Sequence, residues 1–194
     1  MAGDEELPFE RILGTLRKAT AALREADVRF ALAGGIASWA RGGPPREHDL
    51  DFFVRPEDAD RALAALEGAG MRAERPPEGW LYKAWDGDVM VDLIFEPASG
   101  PVSDEELDRA DELEVQALRM RVLAPTDVIV TKLLALKEHD LDYDSVLEVA
   151  RALREQIAWG EVRRRTCDSP YAKAFLTLVE ELGVLPERAG ALEP

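Results

Sequence analysis

The chain has 194 residues, of which 46% are hydrophobic and 32% charged, with a formal net charge of −15. This length predicts one domain, or one domain with a helical extension, and the acidic balance disfavours binding to double-stranded DNA or to an anionic membrane surface. No apolar run approaches the length of about 18 residues that a membrane span needs. The single cysteine, Cys167, excludes an intrachain disulfide and a cysteine-based zinc site and is interpreted as a packing residue; with the acidic N-terminus, it favours a cytoplasmic protein.

The first half of the chain alternates helical and strand-like patterns. Apolar residues at helical spacing predict a helix over residues 5–26, and an apolar run predicts a central strand over 28–33 that ends at a double glycine. A short helical segment and a Gly-Pro loop follow. Further elements are predicted in this order: a strand at 50–54, a helix that begins at Pro56, and strands at about 71–75, 80–85 and 88–95. Asp86-Gly87 predicts a hairpin turn between the last two strands.

The second half changes from an acidic, irregular stretch to helices. Residues from Pro97 to about 112 are predicted to be loose, with solvated acidic groups such as Asp104-Glu105-Glu106. Strand-like stretches at 113–117 and 119–123 precede three helical patterns, which are centred on residues 126–138, 146–157 and 170–182. We therefore predict an α+β fold, in which a mixed sheet flanked by helices spans residues 1–124 and a C-terminal helical region over 125–194 packs on it.

Asp49 and Asp51 open the second predicted strand. Residues i and i+2 of a strand point to the same face, so both carboxylates lie on one side while Leu50 and Phe52 face the other. Adjacent carboxylates repel each other, and such pairs commonly mark a cation site or a shared proton. Mg²⁺ prefers oxygen ligands of this kind. Alternatively, Asp49 only caps a turn.

A third aspartate, Asp92, interrupts the apolar run 89–95. An ionised carboxylate in a buried strand needs a partner, because unpaired burial costs several kcal/mol. If the two strands are neighbours, Asp92 completes a three-carboxylate cluster with Asp49 and Asp51. The alternative is an edge strand on which Asp92 faces water.

The double glycine Gly34-Gly35 follows the strand at 28–33. Glycine lets the backbone approach a phosphate closely, and the start of a helix presents unpaired N–H groups. Ser38 adds a possible hydroxyl donor. A glycine pair alone is weak evidence, because tight turns use it often. Its spacing from Asp49 and Asp51 by one strand-helix unit is what makes a phosphate site a reasonable hypothesis.

Together these residues resemble the nucleotidyltransferase superfamily with the polymerase-β-like fold, in which a Gly-Gly or Gly-Ser pair precedes Asp-x-Asp and a third acid. The matching residues are Leu32-Ala33-Gly34-Gly35, His48-Asp49-Leu50-Asp51-Phe52-Phe53-Val54 and Asp92. More narrowly, the chain resembles AbiEii-type and related small bacterial nucleotidyltransferases, in which an arginine like Arg46 lies in the intervening loop. Residues 123–128 resemble a segment that places a lysine, here Lys132, near the nucleotide, whereas residues 138–144 depart from the family pattern.

The resemblance implies a two-ion Mg²⁺ site and a nucleoside triphosphate (NTP) substrate. Asp49 and Asp51 would hold the ions, and Asp92 would act as a base or as a further metal ligand. The predicted nucleotide-binding residues are Gly34, Gly35, Ser38, Arg46 and Lys132. For Lys132, the alternative is a solvent-reaching side chain at a helix edge.

The resulting hypothesis is a Mg²⁺-dependent transfer of a nucleoside monophosphate (NMP) from an NTP to a small molecule, a protein or an RNA end. The AbiEii resemblance adds a possible role as a toxin with an antitoxin partner. The alternative is a non-catalytic nucleotide-binding or interaction scaffold with a degenerate site. That alternative is favoured if Asp92 lies away from Asp49 and Asp51.

Overall fold

A computed structural model describes residues 9–44 and 49–185. Over these ranges the chain forms a seven-stranded mixed sheet with helices on both faces, which confirms the predicted α+β fold. The strands are β1 (Phe30–Leu32), β2 (Asp49–Val54), β3 (Arg72–Glu74), β4 (Leu81–Asp86), β5 (Val89–Ile94), β6 (Asp111–Val115) and β7 (Leu118–Val122). The helices are α1 (Phe9–Glu25), α2 (Gly34–Ala40), α3 (Ala59–Gly68), α4 (Asp104–Arg109), α5 (Pro125–Ala135), α6 (Tyr143–Leu153), α7 (Trp159–Arg165) and α8 (Pro170–Glu181).

The strand order is β3-β4-β5-β2-β1-β7-β6. β2 runs parallel to β5 and β1 runs parallel to β7, while the other neighbours are antiparallel. β1 is therefore central, as its unbroken apolar sequence predicts. The order also makes β2 and β5, the two strands that carry the candidate aspartates, direct neighbours.

One face of the sheet packs against α1 and α3. Helix α1 presents a buried stripe at helical spacing, which runs from Ile12 to Leu23. The strands supply buried apolar side chains at alternate positions: Phe30, Leu32, Leu50, Phe52, Val54, Val89, Val91 and Leu93. Asp86 fastens the β4–β5 hairpin to α1, because it accepts hydrogen bonds from Lys18 (2.6 Å) and Thr15 (2.9 Å). The hydrogen bond from Lys18 lowers the pKa of the Asp86 carboxyl.

The opposite face is covered over only part of its width. Helix α2 packs on β2 and against α5, and α6, α7 and α8 gather around α5. Under α2 and α5, Ala31 and Phe53 are buried. Over β3, β4 and β5 this face is more open, since Arg72 and Glu74 are exposed and Trp85 is half-buried. The sheet therefore offers a partly open surface beside a helix-covered one.

Two helices depart from the sequence prediction. α4 lies within the stretch that was predicted to be loose, and the Ser103 hydroxyl caps it by accepting a hydrogen bond from the Glu106 N–H at 3.2 Å. Glu106 is buried, so the prediction of a solvated acidic segment is wrong at this residue. α7 was likewise not predicted as a separate helix. Cys167 is exposed, which contradicts its interpretation as a packing residue.

The elements that follow β7 in the described part of the chain are helical. The division into a core over residues 1–124 and a helical region over 125–194 stays a prediction about domain organisation. Among the residues described, no helix is both long enough and apolar enough to cross a membrane.

Candidate active site

Two rows of side chains cross the open face of the sheet. The charged row joins directly opposed residues of four adjacent strands: Asp51 (β2), Asp92 (β5), Lys83 (β4) and Glu74 (β3). A second row, the Trp85 row, runs beside it: Asp49 (β2), Met90 (β5), Trp85 (β4) and Arg72 (β3). Adjacent strands are about 4.8 Å apart, so each row is about 15 Å long. The strand pairing brings Asp49, Asp51 and Asp92 to one corner of this face.

Asp92 is the buried member of the three aspartates, with 8% of its surface exposed. Its carboxylate accepts hydrogen bonds from Lys83 Nζ at 3.0 and 3.2 Å, and the same ammonium lies 3.1 Å from Met90 Sδ. Burial raises the pKa of the Asp92 carboxyl, and the hydrogen bond from Lys83 opposes that shift. The negative charges of Asp49 and Glu74 raise this pKa further. One lysine thus stands among several carboxylates.

Gly34 lies directly against the Asp51 carboxylate. A Cβ built at Gly34 would be 1.8 Å from Asp51 Oδ2 and 2.8 Å from Asp51 Cγ, and the residue has a φ of +58°. The Ala33 N–H donates to the Asp51 carbonyl at 2.8 Å, which fixes the turn against β2. Only glycine meets both the conformation and the contact. The predicted association of the double glycine with the Asp-x-Asp strand is therefore a direct packing contact.

A small cavity of about 20 Å³ lies between α2, α5 and α6. Its lining includes Gly35 and Ser38 of α2, Lys132 of α5 and Glu148 of α6. Ser38 is buried, and no hydrogen-bond partner of its hydroxyl is found in the part of the chain that the structure describes. A cavity of this size suits about one water molecule and not a phosphate group. The structure thus brings three predicted nucleotide-binding residues together, but a phosphate would need the cavity to open.

Arg46 and His48 lie outside the described residues, so the predicted contact of Arg46 with the nucleotide has no structural outcome. Trp39 packs edge-to-face against Phe9 with ring centroids 4.9 Å apart. The basic run 163–165 is engaged in ion pairs, with Glu180, Glu161 and Asp127 as partners.

The fit of a divalent cation rests on the donor chemistry at this corner. Asp49 and Asp51 supply hard oxygen ligands on one face, as Mg²⁺ requires. Within the described ranges, no three His, Cys, Asp or Glu side chains are grouped closely enough to hold a metal ion together. The carboxylate of Asp92 is engaged by Lys83. The residues therefore fit a site built on Asp49 and Asp51, with Asp92 adjacent.

Lys83 is the component of this corner that the sequence patterns did not predict. The Asp86-Gly87 turn was predicted between these strands, but the two loop residues are Gly87 and Asp88, because Asp86 pairs with Val89. A loop of Asp86 and Gly87 would place Leu81 opposite Asp92, whereas the observed register places Lys83 there. A lysine opposite a buried aspartate is the partner that the burial argument required.

Comparison with solved structures places this arrangement among nucleotidyltransferase folds. The antibiotic-resistance factor ANT(2'')-Ia superposes with a TM-score of 0.58 and 17% sequence identity, over 90% of this chain and 96% of that one. A putative nucleotidyltransferase from Thermotoga maritima gives a TM-score of 0.50 and 15% identity, over 91% and 98% of the two chains. The lincosamide antibiotic adenylyltransferase LnuA, with lincomycin bound, gives 0.50 and 14%, over 69% and 93%. At these identities the likeness establishes the fold alone.

No curated protein matches the chain by its sequence. A family model described as "uncharacterised nucleotidyltransferase" matches residues 9–180. This range includes β1 to β7, the glycine turn and the three aspartates. The chain belongs to this family of nucleotidyltransferase enzymes.

Proposed function

We propose that the protein transfers an NMP from an NTP to an acceptor in a Mg²⁺-dependent reaction that releases pyrophosphate. One observation carries the proposal: Asp51 and Asp92 are directly opposed on the parallel strands β2 and β5, with Gly34 in contact with the Asp51 carboxylate. The non-catalytic alternative was favoured if Asp92 lay apart from the other two aspartates, and that condition is not met.

In this proposal Asp49 and Asp51 hold the Mg²⁺ ions. When bound, these ions would neutralise the triphosphate and stabilise the charge that develops during an in-line displacement at the α-phosphorus. The protein's own contribution is to keep two carboxylates on one rigid strand. Gly34 adds to this, since its missing side chain leaves the space in which the Asp51 carboxylate lies.

Asp92 is proposed to receive the proton of the acceptor hydroxyl, or else to serve as a third metal ligand. Its burial raises its pKa, which makes the carboxylate a better proton acceptor than an exposed aspartate. The hydrogen bonds from Lys83 to both of its oxygens favour the ionised form. Lys132 is proposed to contact the triphosphate as a flexible point charge, together with Gly35, Ser38 and Arg46.

Two of the similar solved structures contain ligands that indicate a class of acceptor. ANT(2'')-Ia is known in complex with adenylyl-2''-tobramycin, and LnuA with lincomycin. Both names point to small molecules, and the charge of −15 disfavours long RNA. We therefore propose a small-molecule acceptor before a protein or an RNA end. The AbiEii-type subfamily and a toxin role with an antitoxin partner stay predictions.

The test is to incubate the protein with each labelled NTP, Mg²⁺ and fractionated cell extract, and to identify labelled products by mass spectrometry. Asp51→Asn and Asp92→Asn are expected to abolish label transfer. Asp88→Asn is the matched control, because Asp88 lies at the exposed tip of the β4–β5 hairpin, paired with Arg11. Label transfer that survives in Asp51→Asn, or that fails in every protein, contradicts the proposal.

A further inference from the structure

The open part of the sheet face extends from the aspartates toward the edge strand β3. In the Trp85 row, Trp85 and Met90 are half-buried and Arg72 is exposed. Phe53, on the part of the same face that the helices cover, is buried. This surface is continuous with the candidate active site, since Met90 lies directly between Asp49 and Trp85. A molecule that lies over Met90 and Trp85 can therefore present a hydroxyl toward Asp92.

The indole of Trp85 is held in a fixed orientation. Its Nε1 donates to Glu74 Oε2 at 3.0 Å, and the guanidinium of Arg72 lies over the ring, 5.3 Å from its centroid, so that a ligand would pack on the face turned away from Arg72. Arg72 also pairs with Glu74 at 3.4 Å. An aromatic ring that is oriented before binding loses little conformational entropy when a ligand stacks on it. Two contacts that orient a half-exposed tryptophan indicate a binding platform more than a packing residue.

The charged side chains beside Trp85 form pairs of opposite charge. Lys83 is paired with Asp92 and Arg72 with Glu74, so neither sign is in excess between the edge strand and Asp92. A cationic acceptor would meet the ammonium and the guanidinium, and an anionic one would meet Glu74 and Asp92. A neutral ligand is not repelled by either set of charges. Its hydroxyl groups can donate hydrogen bonds to the carboxylates and accept them from the ammonium and the guanidinium.

The distances match a molecule of modest size. Trp85 lies two strands from Asp49, which corresponds to about 10 Å, and Asp92 is diagonal to it at about 7–8 Å. A single six-membered ring on the indole can therefore direct one substituent toward Asp92. Saturated rings have apolar faces that pack on an aromatic surface and hydroxyl edges that accept and donate hydrogen bonds.

From these observations we infer that Trp85, held by Glu74 and Arg72, forms the acceptor platform of this enzyme, and that the acceptor is an uncharged cyclic alcohol such as a simple glycoside. This inference rests on the proposed function and names the acceptor class for the same site. In the reaction, the ring hydroxyl oxygen forms a bond to the α-phosphorus of the NTP. The bond from that phosphorus to the bridging oxygen breaks, pyrophosphate leaves, and the hydroxyl proton passes to Asp92.

The test compares three versions of one sugar ring with the full-length protein and Mg·ATP. The probes are a neutral methyl glycoside, its amino-sugar counterpart and its sugar phosphate. Binding is followed by intrinsic tryptophan fluorescence, and transfer by mass spectrometry. The neutral ring is expected to bind and react best. Trp85→Ala is expected to raise its KM by about tenfold or more and to remove its fluorescence response, with an unchanged affinity for Mg·ATP.

Trp80→Ala is the matched control, because Trp80 is 40% exposed and lies outside both rows. It is expected to keep both the KM and the fluorescence response. The inference is overturned if the amino or phosphate ring is preferred, if Trp85→Ala behaves like Trp80→Ala, or if no ring binds while Mg·ATP does. In those cases Mg·ATP binding leaves the proposed function standing. If Mg·ATP does not bind and no NMP is transferred, the proposed function fails and this inference fails with it.

Discussion

Two buried aspartates of this chain have different cationic partners. Asp92 is 8% exposed and pairs with one lysine, Lys83, while burial, and to a lesser extent the charges of Asp49 and Glu74, raise its pKa. Asp127 of α5 is 1% exposed and pairs with two arginines, Arg165 at 2.5 Å and Arg109 at 3.3 Å. In the described residues, Asp92 therefore pairs with a lysine and Asp127 with two arginines, one of which, Arg165, also pairs with Glu161.

The difference separates a binding site from a structural clamp. The arginines of α4 and α7 pair with Asp127 and connect both helices to α5, so the buried carboxylate has a structural role. Around Asp92, burial and the negative charges of Asp49 and Glu74 raise the pKa of the carboxyl, so keeping it ionised costs the folded protein free energy. Carboxylates held close together on neighbouring strands are stabilised by a bound cation, and sites of this kind commonly reduce stability in exchange for function.

The largest expected effect is on catalysis at the carboxylate-rich site. Asp51→Asn is expected to lower NMP transfer by at least about 1,000-fold, or about 4 kcal/mol in transition-state stabilisation. Its melting temperature is expected to change little, because the amide keeps the shape of the carboxylate that packs against Gly34. Thermal unfolding and product assays check both parts. A fall in stability to match the loss of activity would contradict the assignment of Asp51 to the site.

The second effect is the reverse pattern at Asp127. Asp127→Asn removes the ion pairs to Arg109 and Arg165 and leaves Arg165, which is 19% exposed, with Glu161 at 3.5 Å. Such losses cost up to about 3 kcal/mol. Denaturant unfolding should show this loss, while NMP transfer at a temperature where the variant is folded stays within about threefold of the wild type. A variant that keeps its stability but loses activity would contradict the structural role of Asp127.

A third substitution tests the contact between the turn and the site. Gly34→Ala places a Cβ 1.8 Å from Asp51 Oδ2 at a residue with φ +58°, so the carboxylate must move. A fall of about 100-fold in transfer, about 2.7 kcal/mol, is expected together with a stability loss of about 1–2 kcal/mol. Gly14→Ala is the matched control. It lies in α1 with no atom within 4 Å of the added Cβ, and should stabilise the helix by about 0.5–1 kcal/mol.

The comparison also explains which parts of the molecule the sequence could predict. The site depends on short-range patterns: Asp49 and Asp51 are two residues apart, and Gly34 follows the central strand by two. Strand alternation was enough to place both carboxylates on one face. Lys83 could not be found by counting from the predicted Asp86-Gly87 turn, because the loop is Gly87-Asp88 and a shift of one residue in a hairpin loop changes which residues are opposed.

The clamp at Asp127 could not be predicted in this way. Its two arginines are 18 and 38 residues distant along the chain, and no periodic pattern connects helices at such separations. Helix α4, which carries Arg109, was missed although Ser103 and Glu106 have the spacing of a capping box. Six residues with one short apolar face give little periodicity, so the cap was the better signal.

The smallest expected effect concerns Glu106, which lies beside the clamp. Burial raises the pKa of its carboxyl and the negative charge of Asp127 raises it further, against the opposing charges of Arg109 and Arg165. Because the folded pKa exceeds the unfolded one, the folded state binds more protons between the two. Stability is therefore unaffected below the unfolded pKa, falls as pH rises through both values, and carries the full penalty above the folded pKa.

Glu106→Gln removes this titration. The difference between its free energy of unfolding and that of the wild type should shift in favour of the variant as pH rises from about 4 to neutrality. The expected shift is no more than about 1 kcal/mol. Glu105→Gln, at an exposed position in the same turn of α4, is the matched control and should show a smaller pH-dependent difference. Denaturant unfolding at several pH values measures both. A Glu106→Gln variant that loses stability relative to wild type as pH rises would show that the attraction of Arg109 and Arg165 for the Glu106 carboxylate outweighs the effect of burial.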